Sequence, residues 1–228
     1  MIKKSKSVFA FTLAEVLITL GVIGVVAAIT MPTLIQNYQK SKTANQLKTV
    51  YSIMNQAVKM SEIDNGLITE WTFPENNAES IKIFLNKYIA PYLKYTKMES
   101  NETGQVYLYL SNGIIIGFYS SEPNQIHSEV FLNGNIDNAI SGKTRFLFLL
   151  SYPNNDDDNC IYKRMIYGCK YSGYMPYNYV GMSIDKSKSI RDYLKDGSGK
   201  YGCNENAKTT CAALIMQDGW QIKDDYPW

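Results

Sequence analysis

Histidine is almost absent from this chain: His127 stands alone among 228 residues. One imidazole leaves no His pair to hold a metal, and any nucleophile–His arrangement would depend on that one residue. It precedes a strand-like run and reads as a surface or edge histidine. Charge is scarce, at 19% of residues, and balanced, with 23 Lys+Arg against 21 Asp+Glu for a net +2. That balance gives no electrostatic footprint for nucleic acid. With 45% apolar residues the chain is not a disordered one either. Neither G-x-S-x-G, G-x-x-x-x-G-K-[ST], H-E-x-x-H nor a dinucleotide fingerprint occurs. No enzyme class and no cofactor is therefore indicated. The four cysteines all lie in the C-terminal third and none forms C-x-x-C, which argues against zinc and thioredoxin chemistry. Tyrosine, in contrast, is abundant. Its 18 copies suggest a surface where many rings meet partners or solvent. In the tyrosine-rich stretch from Tyr171 to Tyr179, packing on a sheet is a plainer expectation than stacking on sugars or bases.

The scarcity of charge is concentrated in one place. From Ser7 to Gln39 the only charged residue is Glu15, with Lys3, Lys4 and Lys6 before it and Lys40 and Lys42 after it. As a helix, Val8–Ile35 would be about 42 Å long, enough to cross a hydrocarbon core of about 30 Å. A cleaved secretory signal would use Val26-Ala27-Ala28 as its small-residue site, but it would carry Glu15 inside its apolar region and leave apolar sequence after the cut. A plain anchor meets the same acid, which costs about 2.5–3.5 kcal/mol at membrane depth and asks for a partner unless it snorkels to the interface. Lysines flank both ends, so positive-inside counting is tied before the N-terminal amine is added.

Lys3-Lys4-Ser5-Lys6-Ser7-Val8-Phe9-Ala10, followed by Phe11-Thr12-Leu13-Ala14-Glu15-Val16-Leu17-Ile18, resembles the class III signal of type IV pilins and type II secretion pseudopilins. In that family a prepilin peptidase cuts a basic leader on the cytoplasmic face, before a Phe that is then N-methylated. A cut after Ala10 makes Phe11 the first residue and Glu15 the fifth. Pro32 falls at the twenty-second position, where pilins often carry proline, and Gly21 and Gly24 also fit. The family usually has Gly where this chain has Ala10. The resemblance implies residues 1–10 as leader, 11–35 as transmembrane and assembly helix, and 36–228 as helix continuation and exported head. It also implies a register role for Glu15. A buried Glu and a buried new amine are each costly alone and tolerable as a pair between staggered subunits. Pro32 cannot donate to the Ala28 carbonyl, so the helix should kink or loosen there.

Beyond the stem, Leu47, Val50, Tyr51, Met54, Ala57 and Val58 recur at helical spacing and predict one apolar stripe ending near Asp64-Asn65-Gly66. A second amphipathic helix is predicted over about Glu79–Lys94, bent or ended by Pro91. Strands are predicted at Gln105–Leu110 and Ile114–Tyr119, turned by Ser111-Asn112-Gly113, and at Glu129–Leu132 and Thr144–Leu150. Residues 152–207 read largely as loop. Thr209–Gln217 reads as a short helix or strand, and Trp220-Gln221-Ile222 as a last strand. The fold class predicted is α+β: a long N-terminal membrane-spanning helix packed on a head with an antiparallel sheet of about four strands, the layout of pilin-like proteins.

If the head lies outside the cytoplasm, an even cysteine count favours two disulfides. Of three connectivities, Cys160–Cys169 with Cys203–Cys211 closes the shortest loops. The acidic run Asp156-Asp157-Asp158 offers oxygens of the kind calcium takes, and some pseudopilins bind calcium in a C-terminal loop. The run lacks the spacing, glycine and distal Glu of an EF-hand, so a solvated loop is expected, with Asp156 and Asp158 as the calcium alternative. The resemblance implies a structural filament subunit rather than an enzyme, with no cofactor. It implies a single pass of the inner membrane with the N-terminus cytoplasmic, then a periplasmic or cell-surface filament. Its partners would be prepilin peptidase, an inner-membrane assembly platform and other pilin or pseudopilin subunits. A secretion pseudopilus, an adhesive or motility pilus and a DNA-uptake filament stay open. The length tilts toward a minor subunit or pseudopilin. The rival expectation is a membrane-anchored or secreted enzyme or binding protein with an ordinary signal.

Overall fold

Despite Gly21, Gly24 and Pro32, the chain from Leu13 to Asn65 makes one helix of 53 residues, α1 (Leu13–Asn65), which ends where Gly66 turns left-handed at φ 80°. The structure is a computed structural model and describes residues 12–120, 125–152, 172–182 and 187–228. The chain divides into two compact units, residues 1–40 and 41–228. In the first, the described residues are helical from Leu13 and almost wholly exposed. Pro32 lies inside α1 and does not interrupt it, so the loosening expected there stops short of a break.

In the second unit, Leu47, Val50, Met54, Ala57 and Val58 of α1 are buried, as their spacing predicts. α2 (Ala78–Tyr88) opens on Asn77, whose Oδ1 accepts from the Ser80 amide at 2.8 Å. It stops at Tyr88, not Lys94. Pro91 has no N–H for the Lys87 carbonyl, and a 3-10 turn (Ala90–Tyr92) replaces the last helical turn. The freed chain forms a strand that was not foreseen, β1 (Tyr95–Ser100).

The sheet has six strands rather than about four. β2 (Val106–Leu110), β3 (Ile115–Tyr119), β4 (Gln125–Phe131), β5 (Arg145–Ser151) and β6 (Gly173–Pro176) follow β1 in sequence order, each antiparallel to its neighbour. The β2–β3 turn is the expected one, with Gly113 at φ 84° and its amide on the Leu110 carbonyl. Alternation along the strands gives the sheet two faces. Val106, Leu108, Ile116, Phe118, Ile126, Val130, Phe146, Phe148 and Leu150 join the helices in the main core. On the other face Tyr107, Ile115 and Phe131 form a smaller cluster with Ile136 and Ala139.

β6 and α3 (Ile190–Asp196) both fall in the stretch expected to be loop. β6 pairs with β5 on one side only and is an edge strand. The Asn55 side chain of α1 meets its backbone: Nδ2 donates to the Tyr174 carbonyl at 2.7 Å and Oδ1 accepts from the Tyr174 amide at 3.2 Å. The Tyr174 ring is fully buried, stacked on Phe148, with its hydroxyl 2.8 Å from Ser128 Oγ. α4 (Cys211–Gln217) resolves the helix-or-strand alternative as helix. The strand expected at Trp220–Ile222 is not formed. The amides of Gly219 and Trp220 instead reach back to the Met216 and Ile215 carbonyls, closing the helix with two consecutive left-handed residues. The tyrosines are not mainly a surface feature: among the described residues only Tyr38 and Tyr95 are exposed, and the rest are buried or half-buried.

Candidate functional site

The sequence places its sharpest candidates at the start of α1. Ala10 and Phe11 lie outside the described residues. Thr12 and Glu15 form a reciprocal pair there. The Thr12 amide and hydroxyl each donate to Glu15 Oε2 at 2.8 Å, and the Glu15 amide donates back to Thr12 Oγ1 at 3.2 Å. This is a capping box, with Thr12 as N-cap and Glu15 three residues on. It satisfies helix-end donors that have no intrahelical acceptor and sets a negative charge at the positive end of the helix dipole. The sequence carries the signal for this role, Thr-x-x-Glu before an apolar run, beside the register role that the family resemblance implies. Glu15 thus has a local structural task before any partner subunit is considered.

Past this cap the stem is apolar on every side. Leu17, Ile18, Ile23, Val25, Ile29 and Leu34 are each at least 62% exposed, the opposite of a core helix. Thr19 and Thr30 return their hydroxyls to the Val16 and Val26 carbonyls at 2.9 Å, which leaves them no unmet donor in an apolar medium. By length and composition this helix can cross a membrane.

The remaining candidates sit in the second unit. Cys203 and Cys211 are joined, as the shortest-loop pairing predicts. Cys160 and Cys169, and the calcium candidates Asp156 and Asp158, lie outside the described residues. Among the described residues no group of three or more His, Cys, Asp and Glu side chains is gathered as a metal would require. His127 is half-buried and does not lie on an edge strand. It lies on β4 inside the sheet, its ring stacked on Tyr119 at 5.3 Å and tilted against Tyr177 at 5.7 Å. Its Nε2 is buried with no hydrogen-bond partner among the described residues, and burial pushes its pKa down to about 4. It is a neutral packing residue at ordinary pH. Its neighbour two residues on, Glu129, is raised by burial and paired with Arg145 at 3.3 Å.

The C-terminus is tied down by ions. Arg191 on α3 forks onto Asp218 at 2.8 Å and onto Asp225 at 2.7 Å, and Lys195 adds a contact to Asp225 at 2.8 Å. Arg191 and then Lys195 hold the Asp225 carboxyl far below the usual range.

The described residues combine one N-terminal helix long and apolar enough to cross a membrane with an α+β unit that carries a six-stranded antiparallel sheet. The chain belongs to a family of unknown function (DUF6613), whose profile matches residues 33–228. The match begins after most of the stem, so the segment with the prepilin-like motif lies outside it. No curated protein and no solved structure matches the chain.

Proposed function

We propose that this protein is a structural filament subunit of the pilin or pseudopilin class, processed between Ala10 and Phe11 by a prepilin peptidase and polymerised through its stem. The observation that carries the reading is the motif itself: basic leader, Phe11, Glu15 as fifth residue and Pro32 as twenty-second, in register. An exposed, all-round apolar helix long enough to span a bilayer supports it, because such a surface needs lipid or other copies of itself. Before assembly the stem holds the chain in the inner membrane with the head outside the cytoplasm. An assembly platform then passes it to neighbouring subunits.

Glu15 does two things in this proposal. It caps α1 through Thr12, and its remaining lone pairs receive the methylated amine of Phe11 from an adjacent protomer. Both are carboxylate roles, but only the second is intermolecular. The intact mass of protein purified from membranes tests the processing step. A chain beginning at N-methyl-Phe11 is expected, and one beginning at Ile29 or Met1 would rule the proposal out. Two substitutions then separate the roles of Glu15. Thr12→Val removes the cap, worth about 1 kcal/mol, but keeps the carboxylate, and should leave filament yield largely intact. Glu15→Ala should abolish filaments while the head stays folded. Equal loss in both variants would show that capping, not pairing, is what assembly needs.

A further inference from the structure

Outside the stem, one feature of residues 41–228 is built in a way that packing does not require. Trp220 has φ 62°, the one non-glycine residue with positive φ among the described residues. For a bulky side chain this is an outlier, and such outliers gather at binding sites. The turn that closes α4 imposes it through the Trp220 amide on the Ile215 carbonyl at 2.8 Å. The half-buried ring is thereby set against Tyr51 of α1, centroids 5.4 Å apart and planes at 46°. Together they wall an open groove of about 420 Å³, whose other lining residues are Lys48, Ser52, Asn55, Gln56 and Lys59. Lys48 and Lys59 are eleven residues apart on one helix face, about 16 Å. They bracket the aromatic pair with positive charge, and Glu62 neutralises Lys59 at 2.7 Å.

We propose that this groove binds an acidic saccharide, a short run of sugar rings carrying carboxylates. The C–H faces of a sugar match the tilted rings, a carboxylate meets Lys48, and sugar hydroxyls meet the Ser52–Gln56 pair, in which Gln56 Nε2 donates to Ser52 Oγ at 3.2 Å. A peptide fits less well, because the backbone groups of α1 are consumed inside the helix and offer no main-chain partner. A nucleic acid would need several phosphate contacts, and Lys48 beside a Lys59 already paired with Glu62 does not supply them. The site lies wholly within the second unit and does not depend on the filament proposal.

The test uses the full chain in a detergent without a sugar headgroup, titrated with a galacturonic acid tetrasaccharide. Maltotetraose, a glutamate-rich peptide and a thymidine oligonucleotide serve as competing probes. The acidic sugar should shift the indole resonance of Trp220, and maltotetraose should bind about tenfold more weakly. Trp220→Gly suits the left-handed backbone while deleting the ring, so it stays folded, and it should weaken binding at least about tenfold, the loss of one good aromatic contact. Lys48→Gln should bring the acidic sugar down to the level of the neutral one. No shift with the acidic sugar, undiminished affinity in Trp220→Gly, or a shift with the peptide or oligonucleotide instead would each overturn the assignment.

Discussion

The two parts of α1 obey different rules. Up to about Ile35 its surface is apolar in every direction and exposed. From Ser41 onward Ala44, Leu47, Val50, Met54, Ala57 and Val58 form one buried stripe, while Met60 and Ile63 near the helix end stay exposed. A helix satisfies its own backbone in either environment, so hydrogen bonding does not distinguish the parts. Side-chain arrangement does. An all-round apolar surface is stable only in lipid or among like helices, whereas a single stripe specifies one packed side and one wet side. The same side-chain chemistry therefore means assembly in one part and folding in the other.

Paired substitutions would break this contrast most visibly. Met54→Ala, in the stripe, should destabilise the second unit by about 2–5 kcal/mol, since it leaves a cavity in a fully buried site. Ile23→Ala, in the stem, should leave its melting temperature unchanged. Equal effects by calorimetry would mean that the stem also stabilises the fold.

In the second unit, between about pH 4 and 7, acid should act chiefly through His127. The folded pKa near 4 is depressed from about 6.5 in the unfolded chain. The unfolded state therefore binds the proton first, and stability is full above about pH 6.5 and is lost as pH falls toward 4, by up to about 3 kcal/mol. Glu129 acts oppositely. Its raised folded pKa gives stability that is present below its unfolded pKa of about 4.3 and fades as pH rises through the folded value. Comparing wild type with His127→Phe across pH 4–7 in denaturant titrations isolates the histidine, and identical profiles would refute this account.

The disulfide sharpens the contrast from another side. Its bond closes a loop with a sequence separation of eight. Replacing both cysteines by Ala should cost the second unit about 2–3 kcal/mol by the loop-entropy argument, with no effect on membrane extraction of the chain. Asn55→Ala should cost less, about 1–2 kcal/mol, by leaving the Tyr174 backbone groups unpaired. Faster hydrogen exchange at the Tyr174 amide is the specific sign, and unchanged protection would show that the edge strand finds another partner.

How far the fold could be read depends on whether a segment's own pattern carries its contacts. The stripe of α1 and the strands β2 to β5 announce themselves because their alternation matches what they bury. β1 does not: nearly all its residues are exposed, so it lacks a buried alternation, and only pairing with β2 makes it a strand. β6 is four residues between Gly173 and Pro176, too short for a period to show. α3 did carry a signal, Ser189 accepting from the Asp192 amide at 3.1 Å, but one cap in a polar stretch is easily passed over. At the candidate site, the Thr12–Glu15 spacing carries the cap in the sequence itself, whereas the β-propensity of Trp220 says nothing about a helix closing on it.

By itself the sequence determined the long apolar stem, the buried stripe, the central strands and the local cysteine pair, because each depends on residues close together in the chain. Tertiary structure alone decided that Asn55 would complete an edge strand 119 residues away, that His127 would be neutral between two tyrosines, and that Trp220 would face Tyr51 across a groove. Those outcomes depend on which distant surfaces meet, and no local period or spacing encodes that.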